Sequence, residues 1–192
     1  MSARLPEVPA AVPRTGSGLS AWIGRSVLSL LGWRVEGAIP PRPKMVLIVA
    51  PHSSAWDFVI GLAAKLALRL DSAYLAKASL FRWPLSVLLR RTGGIPVDRR
   101  AHGDLVRRMA ELFAERERML LTLAPEGTRQ RVSEWKTGFY RIAEAAGVPV
   151  LPVALDYGAK AVSFGPLLLP TGDLESETAR LRAFFEDKRR KR

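Results

Sequence analysis

Cysteine is absent from this sequence. Thiolate nucleophiles, disulfides and Cys-bound zinc are therefore excluded. Histidine is scarce: His52 and His102 are the only two, too few for a histidine-rich metal site. Acid–base work near neutral pH falls first to these two imidazoles. No secretory leader is evident, because residues 1–18 are rich in Pro, Gly, Ser and Thr and lack an apolar core segment. No run reaches the roughly 18 uncharged apolar residues of a spanning helix. Residues 19–33 come nearest, and Arg25 interrupts them.

Acidic residues are outnumbered, 18 against 30 Lys and Arg, for a net charge of +12. Such a surface attracts polyanions: nucleic acid, an anionic membrane face or phosphorylated substrates. Aromatic residues do not interleave with the basic ones as a base-stacking platform requires, which argues against nucleic acid. A Gly-x-Ser-x-Gly elbow is missing around Ser53 and Ser54, which argues against a serine hydrolase.

What is present is enough apolar residue, 48% of 192, for one domain with a sizeable core. Short β-branched runs alternate with helical periodicity. Strands are expected near 45–49, 72–75, 95–97, 119–123, 148–155 and 161–164. Helices are expected over 19–33, 56–70, 80–91, 104–117, 135–146 and 173–192. Pro149 and Pro152 mark the 148–155 strand as an edge strand or a bulged one. The pattern predicts a single α/β domain with a mostly parallel central sheet flanked by helices, plus an N-terminal interfacial helix. Residues 1–18 read as a flexible arm, 19–36 as an amphipathic membrane-interface helix with Trp22 and Trp33 at its ends, and 37–192 as the main domain with a basic C-terminal helix. The closing run Lys188-Arg189-Arg190-Lys191-Arg192 suits attraction to anionic lipid, at about 1 kcal/mol per basic residue.

Ligand sites in such sheets gather beyond the carboxyl ends of the strands. Three polar turns are expected there: His52 to Asp57, Asp98 to Arg100, and Glu126 to Arg129. Ser53 and Ser54 are candidate caps for the helix that follows the first turn. Five residues along one α-helix turn about 500°, which separates His52 from Asp57 by roughly 140°. The pair meets only if His52 lies in the turn and Asp57 in the first helical turn. The carboxylate then orients the imidazole as a general base, or simply favours the helix dipole. Arg99 and Arg129 match phosphate oxygens, or pair with nearby acids. Arg131 and Lys136 add positive field, and backbone N–H groups are expected to be free near Gly127.

The four blocks resemble, in order, those of the glycerolipid acyltransferases, the lysophosphatidic acid acyltransferase family. They are His52-Ser53-Ser54-Ala55-Trp56-Asp57, Gly94-Ile95-Pro96-Val97-Asp98-Arg99, Pro125-Glu126-Gly127-Thr128-Arg129 and Val148-Pro149-Val150-Leu151-Pro152-Val153-Ala154. The likeness covers roughly residues 45 to 157 and departs from the usual pattern at Pro51, Pro96 and Gln130. It implies direct acyl transfer from acyl-CoA or acyl-carrier protein to the hydroxyl of a lysophospholipid such as 1-acylglycerol-3-phosphate. A different lysolipid, such as lyso-ornithine lipid, is the alternative acceptor, and a basic module that binds anionic membrane or nucleic acid without catalysis is the alternative of a different class. His52 would be the base and Asp57 its orienting partner. Arg99, Glu126, Gly127, Thr128 and Arg129 would bind the acceptor, with Arg129 the more direct phosphate contact and Lys136 an auxiliary one. Neither a metal nor a bound cofactor is implied. The implied place is peripheral, on the cytoplasmic face of an anionic membrane.

Overall fold

The computed structural model describes residues 5–97, 102–128, 130, 132, 134–188 and 190. Helix α1 (Gly18–Leu30) is followed by strand β1 (Arg34–Glu36), β2 (Lys44–Ala50) and α2 (Trp56–Leu68). Next come β3 (Ser72–Lys77), α3 (Leu85–Arg91), β4 (Gly94–Val97), α4 (His102–Glu115) and β5 (Met119–Leu123). The chain closes with α5 (Gly138–Ala146), β6 (Val150–Asp156), β7 (Ala161–Phe164) and α6 (Leu174–Ala183).

The strands form one sheet in the order β1-β7-β6-β2-β5-β3-β4. Every pairing between these strands is parallel except β6 with β7. The alternation of β2 explains the two layers. Met45 and Leu47 pack in the apolar cluster that includes residues of α1 and α2. Val46, Ile48 and Ala50 point to the opposite face, into the cluster with α4, α5 and α6. A strand buried on both faces reads as a continuous apolar run, as this one does.

Several boundaries differ from expectation for tertiary reasons. The N-terminal helix expected over 19–36 ends at Leu30, and Arg34–Glu36 instead pairs with β7 as an edge strand. Trp33 is accordingly no membrane-facing ring: it is buried, edge-on against Tyr157 at 4.9 Å. The described part of the expected arm is laid on the domain. Val12 is fully buried, and Leu5 and Val8 pack against the same core. The Thr15 N–H also donates to the Arg69 carbonyl.

The helix expected over 80–91 starts only at Leu85, after a short 3₁₀ turn, Ala78–Leu80. The helix expected from 135 begins at Gly138. The long C-terminal helix stops at Ala183, because Phe184 and Phe185 turn inward and Phe185 stacks edge-on with Trp135 at 5.4 Å.

The β6 strand is the most informative difference. It lies inside the sheet between β2 and β7, not at an edge. Pro152 fits because one residue's N–H and C=O point to the same side of a strand. The Pro152 carbonyl accepts from the Gly165 N–H, just past the end of β7 at Phe164. The missing donor therefore faces the side where the β7 ladder has run out, and the pairing with β2 is untouched.

Helices α1 and α2 approach closely at Gly24. A Cβ there would sit 2.5 Å from the Ala63 carbonyl oxygen and 2.5 Å from the Ala67 nitrogen. Backbone atoms cannot rotate away, so Gly24→Val must push the helices apart. It should lower unfolding stability by about 1–3 kcal/mol, the usual range for overpacking, read as a shifted urea midpoint. An unchanged midpoint would mean the two helices do not meet this way.

Candidate active site

The carboxyl ends of β6, β2 and β5 lie side by side. The residues just past those ends build the site: Tyr157 after β6, His52 after β2 and Glu126 after β5.

His52 lies in the turn before α2, and Asp57 is the second residue of the helix. The imidazole Nδ1 is 3.1 Å from Asp57 Oδ2. The off-helix placement that the five-residue spacing demands is therefore present. The capping differs from expectation. Ala55, not a serine, occupies the cap position and makes no side-chain cap bond, while Ser54 Oγ accepts from the Trp56 N–H at 3.1 Å. The main work is done in the reverse direction. Asp57 Oδ2 accepts from the Ser53 N–H at 2.6 Å and the Ser54 N–H at 2.7 Å. One carboxylate thus folds the turn and faces the histidine.

Asp57 is 4% exposed. Burial alone would raise its carboxyl, but hydrogen bonds from His52, Tyr157 and the Ser54 and Ser53 amides outweigh that and hold it below the usual carboxylate range. Among the described residues no hydrogen bond is made to His52 Nε2, and the side chain is 28% exposed. A tautomer with its proton on Nδ1, facing Asp57, leaves Nε2 as a basic nitrogen open to a ligand.

Tyr157 belongs to none of the motifs legible in the sequence. Its hydroxyl donates to Asp57 Oδ1 at 2.5 Å. Burial, the hydrogen bond to Asp57 and its charge all push the phenol up, so Tyr157 stays protonated and a donor. Two features hold it there. Its ring packs edge-on against Trp33. The Asp156 carboxylate just before it accepts from the Gly158 and Ala159 N–H groups, which shapes the β6–β7 turn. Tyr157→Phe removes a hydrogen bond to a charged group, worth about 1.5–3 kcal/mol. The native Asp57 pKa then rises toward its unfolded value. Stability from a depressed carboxylate is lost as pH falls through the native pKa, so the variant should begin acid unfolding at higher pH than the parent. Circular dichroism against pH checks this, and coincident acid limbs would show that the bond is not made.

Glu126 is buried, 6% exposed, and both its oxygens have protein partners. Oε2 accepts from the His52 N–H at 2.8 Å, and Oε1 pairs with Arg190 at 2.8 Å. Its carboxylate is turned toward the histidine turn. Gly127 has φ +63, and a Cβ there would meet the Lys136 stem at 2.9 Å. The lysine stem thus lies along the third block. The Gly127 N–H, expected to be free, donates to the Ala124 carbonyl at 3.1 Å and closes the turn. Thr128 Oγ1 accepts from the Gln130 N–H at 3.3 Å.

Asp98, Arg99, Arg100, Arg129 and Arg131, the expected phosphate-facing segments, lie outside the described residues. So the structure links His52, Asp57 and Glu126 of the expected set through hydrogen bonds and adds Tyr157 and Arg190, while Gly127 and Thr128 simply follow Glu126 in its turn. No group of three or more His, Asp or Glu that could hold a metal occurs among the described residues.

The acyltransferase family model matches residues 33–156, from β1 to the end of β6. The 1-acyl-sn-glycerol-3-phosphate acyltransferase of Haemophilus influenzae is 30% identical over 149 residues, covering 70% of this chain and 58% of that protein. The protein of the same name from Escherichia coli is 29% identical over 149 residues, covering 72% and 59%. The chain therefore spans under two thirds of the length of these curated relatives. A crystal structure of the 1-acyl-sn-glycerophosphate (LPA) acyltransferase PlsC from Thermotoga maritima shares the fold, with TM-score 0.60 and 20% identity over 86% of this chain and 75% of that one. By the family match over most of the sheet and the ordered blocks around His52, this chain belongs to the acyltransferase family, with glycerolipid acyltransferases among its relatives.

Proposed function

We propose that this protein transfers a fatty acyl group from an acyl thioester, acyl-CoA or acyl-carrier protein, to the hydroxyl of a lysophospholipid such as 1-acylglycerol-3-phosphate. The observation that carries the reading is His52, with Nδ1 held 3.1 Å from Asp57 and Nε2 open. Nε2 takes the proton of the acceptor hydroxyl. The oxygen attacks the thioester carbonyl carbon and forms a C–O bond. The tetrahedral oxyanion collapses, the C–S bond breaks, and the thiolate takes the proton from His52 and leaves as the thiol. Asp57 offsets the imidazolium charge that develops, and Tyr157 keeps Asp57 aimed. Arg99, Arg129 and Lys136 are the cations proposed for the acceptor phosphate, and Thr128 is proposed as a further acceptor contact.

The acceptor and the product are lipids, and the surface suits them. Leu19, Trp22, Ile23 and Leu30 are exposed on α1, and Leu80, Trp83, Leu85, Val87 and Leu88 are exposed around α3. Arg82, Arg90 and Arg91 flank the second group. Apolar side chains rimmed by arginine favour an anionic bilayer interface. No helix among the described residues is long and apolar enough to cross a membrane. A peripheral place on the cytoplasmic membrane face is part of the proposal, supported by these exposed apolar and arginine side chains.

The test is a thiol-release assay with one fixed acyl-CoA and a panel of acceptors: lysophosphatidate, neutral lysolipids and lyso-ornithine lipid. Acceptor-dependent thiol release, greatest with lysophosphatidate, is the expected result. Release only with a phosphate-free acceptor would move the assignment to that lipid. No release with any acceptor, from either acyl donor, would remove the reading.

A further inference from the structure

We infer that Arg190 is a positioning residue for His52, delivered to the site by the segment that follows α6. The inference rests on the acyl-transfer reading above only for what His52 does, not for where Arg190 sits. Arg190 Nη1 donates to Glu126 Oε1 at 2.8 Å, and Nη2 donates to the His52 carbonyl oxygen at 2.9 Å. The other Glu126 oxygen accepts from the His52 N–H at 2.8 Å. These three bonds close a ring through both backbone polar groups of one residue. Glu126 grips the N–H of His52, Arg190 grips its C=O, and the two grips are joined by a charge-assisted pair. Such pairs are stronger and more directional than neutral hydrogen bonds.

The route by which Arg190 arrives is built into the fold. Helix α6 is pinned by Glu177, whose Oε2 accepts from Tyr140 at 2.6 Å and whose Oε1 accepts from Thr171 Oγ1 at 2.8 Å. Beyond the helix, Phe184 and Phe185 stack edge-on at 5.0 Å, and Phe185 meets Trp135. Lys188 lies over the Phe184 ring at 5.6 Å. The segment is thus directed back toward the sheet.

A second consequence is electrostatic. Glu126 is a buried carboxylate hydrogen-bonded to the backbone N–H of the residue that carries the proposed base. Left without a cation, it would repel the phosphate and the oxyanion the site has to accept. Arg190 offsets that charge while the carboxylate keeps its bond to His52.

The experiment compares Arg190→Ala, Arg190→Lys, Glu126→Gln and the Arg190→Ala/Glu126→Gln double variant. Thermal unfolding by circular dichroism establishes that each is folded. In thiol release, Arg190→Ala should lower kcat by up to about 10²-fold, the scale of a small misplacement of a catalytic group, with the acceptor KM little changed. Added guanidinium ion should restore part of the rate. The double variant should lose little beyond Glu126→Gln alone, as groups in one network do.

An independent readout is the ¹³Cε1 resonance of His52, assigned against His102→Gln in a chain with only two histidines. It should move in both Arg190→Ala and Arg190→Lys, since an ammonium cannot bridge both acceptors in the same way. An unmoved His52 signal together with kcat within about twofold of the parent, far short of a factor of ten per 1.4 kcal/mol, would overturn the inference. So would multiplicative losses in the double variant, or a loss confined to KM, which would make Arg190 a substrate contact. If the parent protein releases no thiol at all, the proposed reaction fails while the resonance still decides Arg190.

Discussion

His52→Ala should lower thiol release by about 10²–10⁴-fold, the contribution of a positioned general base. The argument is geometric. Nε2 is open while Nδ1 is held by Asp57, and His102, the chain's other histidine, begins helix α4 rather than lying in the His52 turn. Stability should change far less than activity. The imidazole is partly exposed, and its bond to Asp57 contributes on the order of 1 kcal/mol. Asp57 keeps its Ser53, Ser54 and Tyr157 donors in the variant, so the turn should survive. The check is kcat and KM for the acceptor alongside a urea titration. A fall in kcat with a steady KM and a near-parental midpoint is the expected pattern. Parental kcat would remove His52 from the mechanism.

Asp57→Asn should be nearly as damaging, and for two reasons. An amide has one acceptor oxygen, whereas the carboxylate accepts from the Ser53 and Ser54 amides, the Tyr157 hydroxyl and the His52 imidazole. At least one of these donors loses its partner, at about 1–3 kcal/mol for each buried one. The amide NH₂ also favours the opposite imidazole tautomer, with the proton on Nε2 where a lone pair is needed. That change is expected to lower kcat by as much as about 10⁴-fold, on the precedent of the Ser-His-Asp triad.

The variant carries a pH signature as well. Asp57 titrates below its unfolded value in the native protein. Its stabilising contribution is therefore complete above the unfolded carboxylate range, near about 3.9, and is lost as pH falls through the lower native value. Asp57→Asn removes that term, so it should be less stable near neutrality and show a shallower loss on acidification. Equal slopes on the acid side for variant and parent would show that Asp57 is not a depressed carboxylate.

Local chemistry in the sequence determined a good deal. Alternating apolar runs and helical periods specify an α/β domain, because burial on both faces of a parallel strand leaves its mark in consecutive residues such as 45–50. The His52–Asp57 pairing was legible too, since two residues five apart on a strand-to-helix turn have one way to meet.

Only the tertiary structure decided the neighbours of that pair. Tyr157 lies 100 residues from Asp57, and it reaches the carboxylate because β6 pairs with β2 inside the sheet. The two prolines in that segment pointed to an edge strand or a bulge, since a sequence does not say that β7 stops at the point where Pro152 lacks its donor. Trp33 looked like a membrane-facing ring because it is buried by residues distant in sequence, Tyr157 just past β6 among them. Arg190, 138 residues from His52, read as one cation in a basic tail. It becomes part of the site through the aromatic packing of Trp135, Phe184 and Phe185 and the buried Glu177 that anchors α6. Strand order and side-chain packing are long-range pairings, and a one-dimensional period carries no record of them.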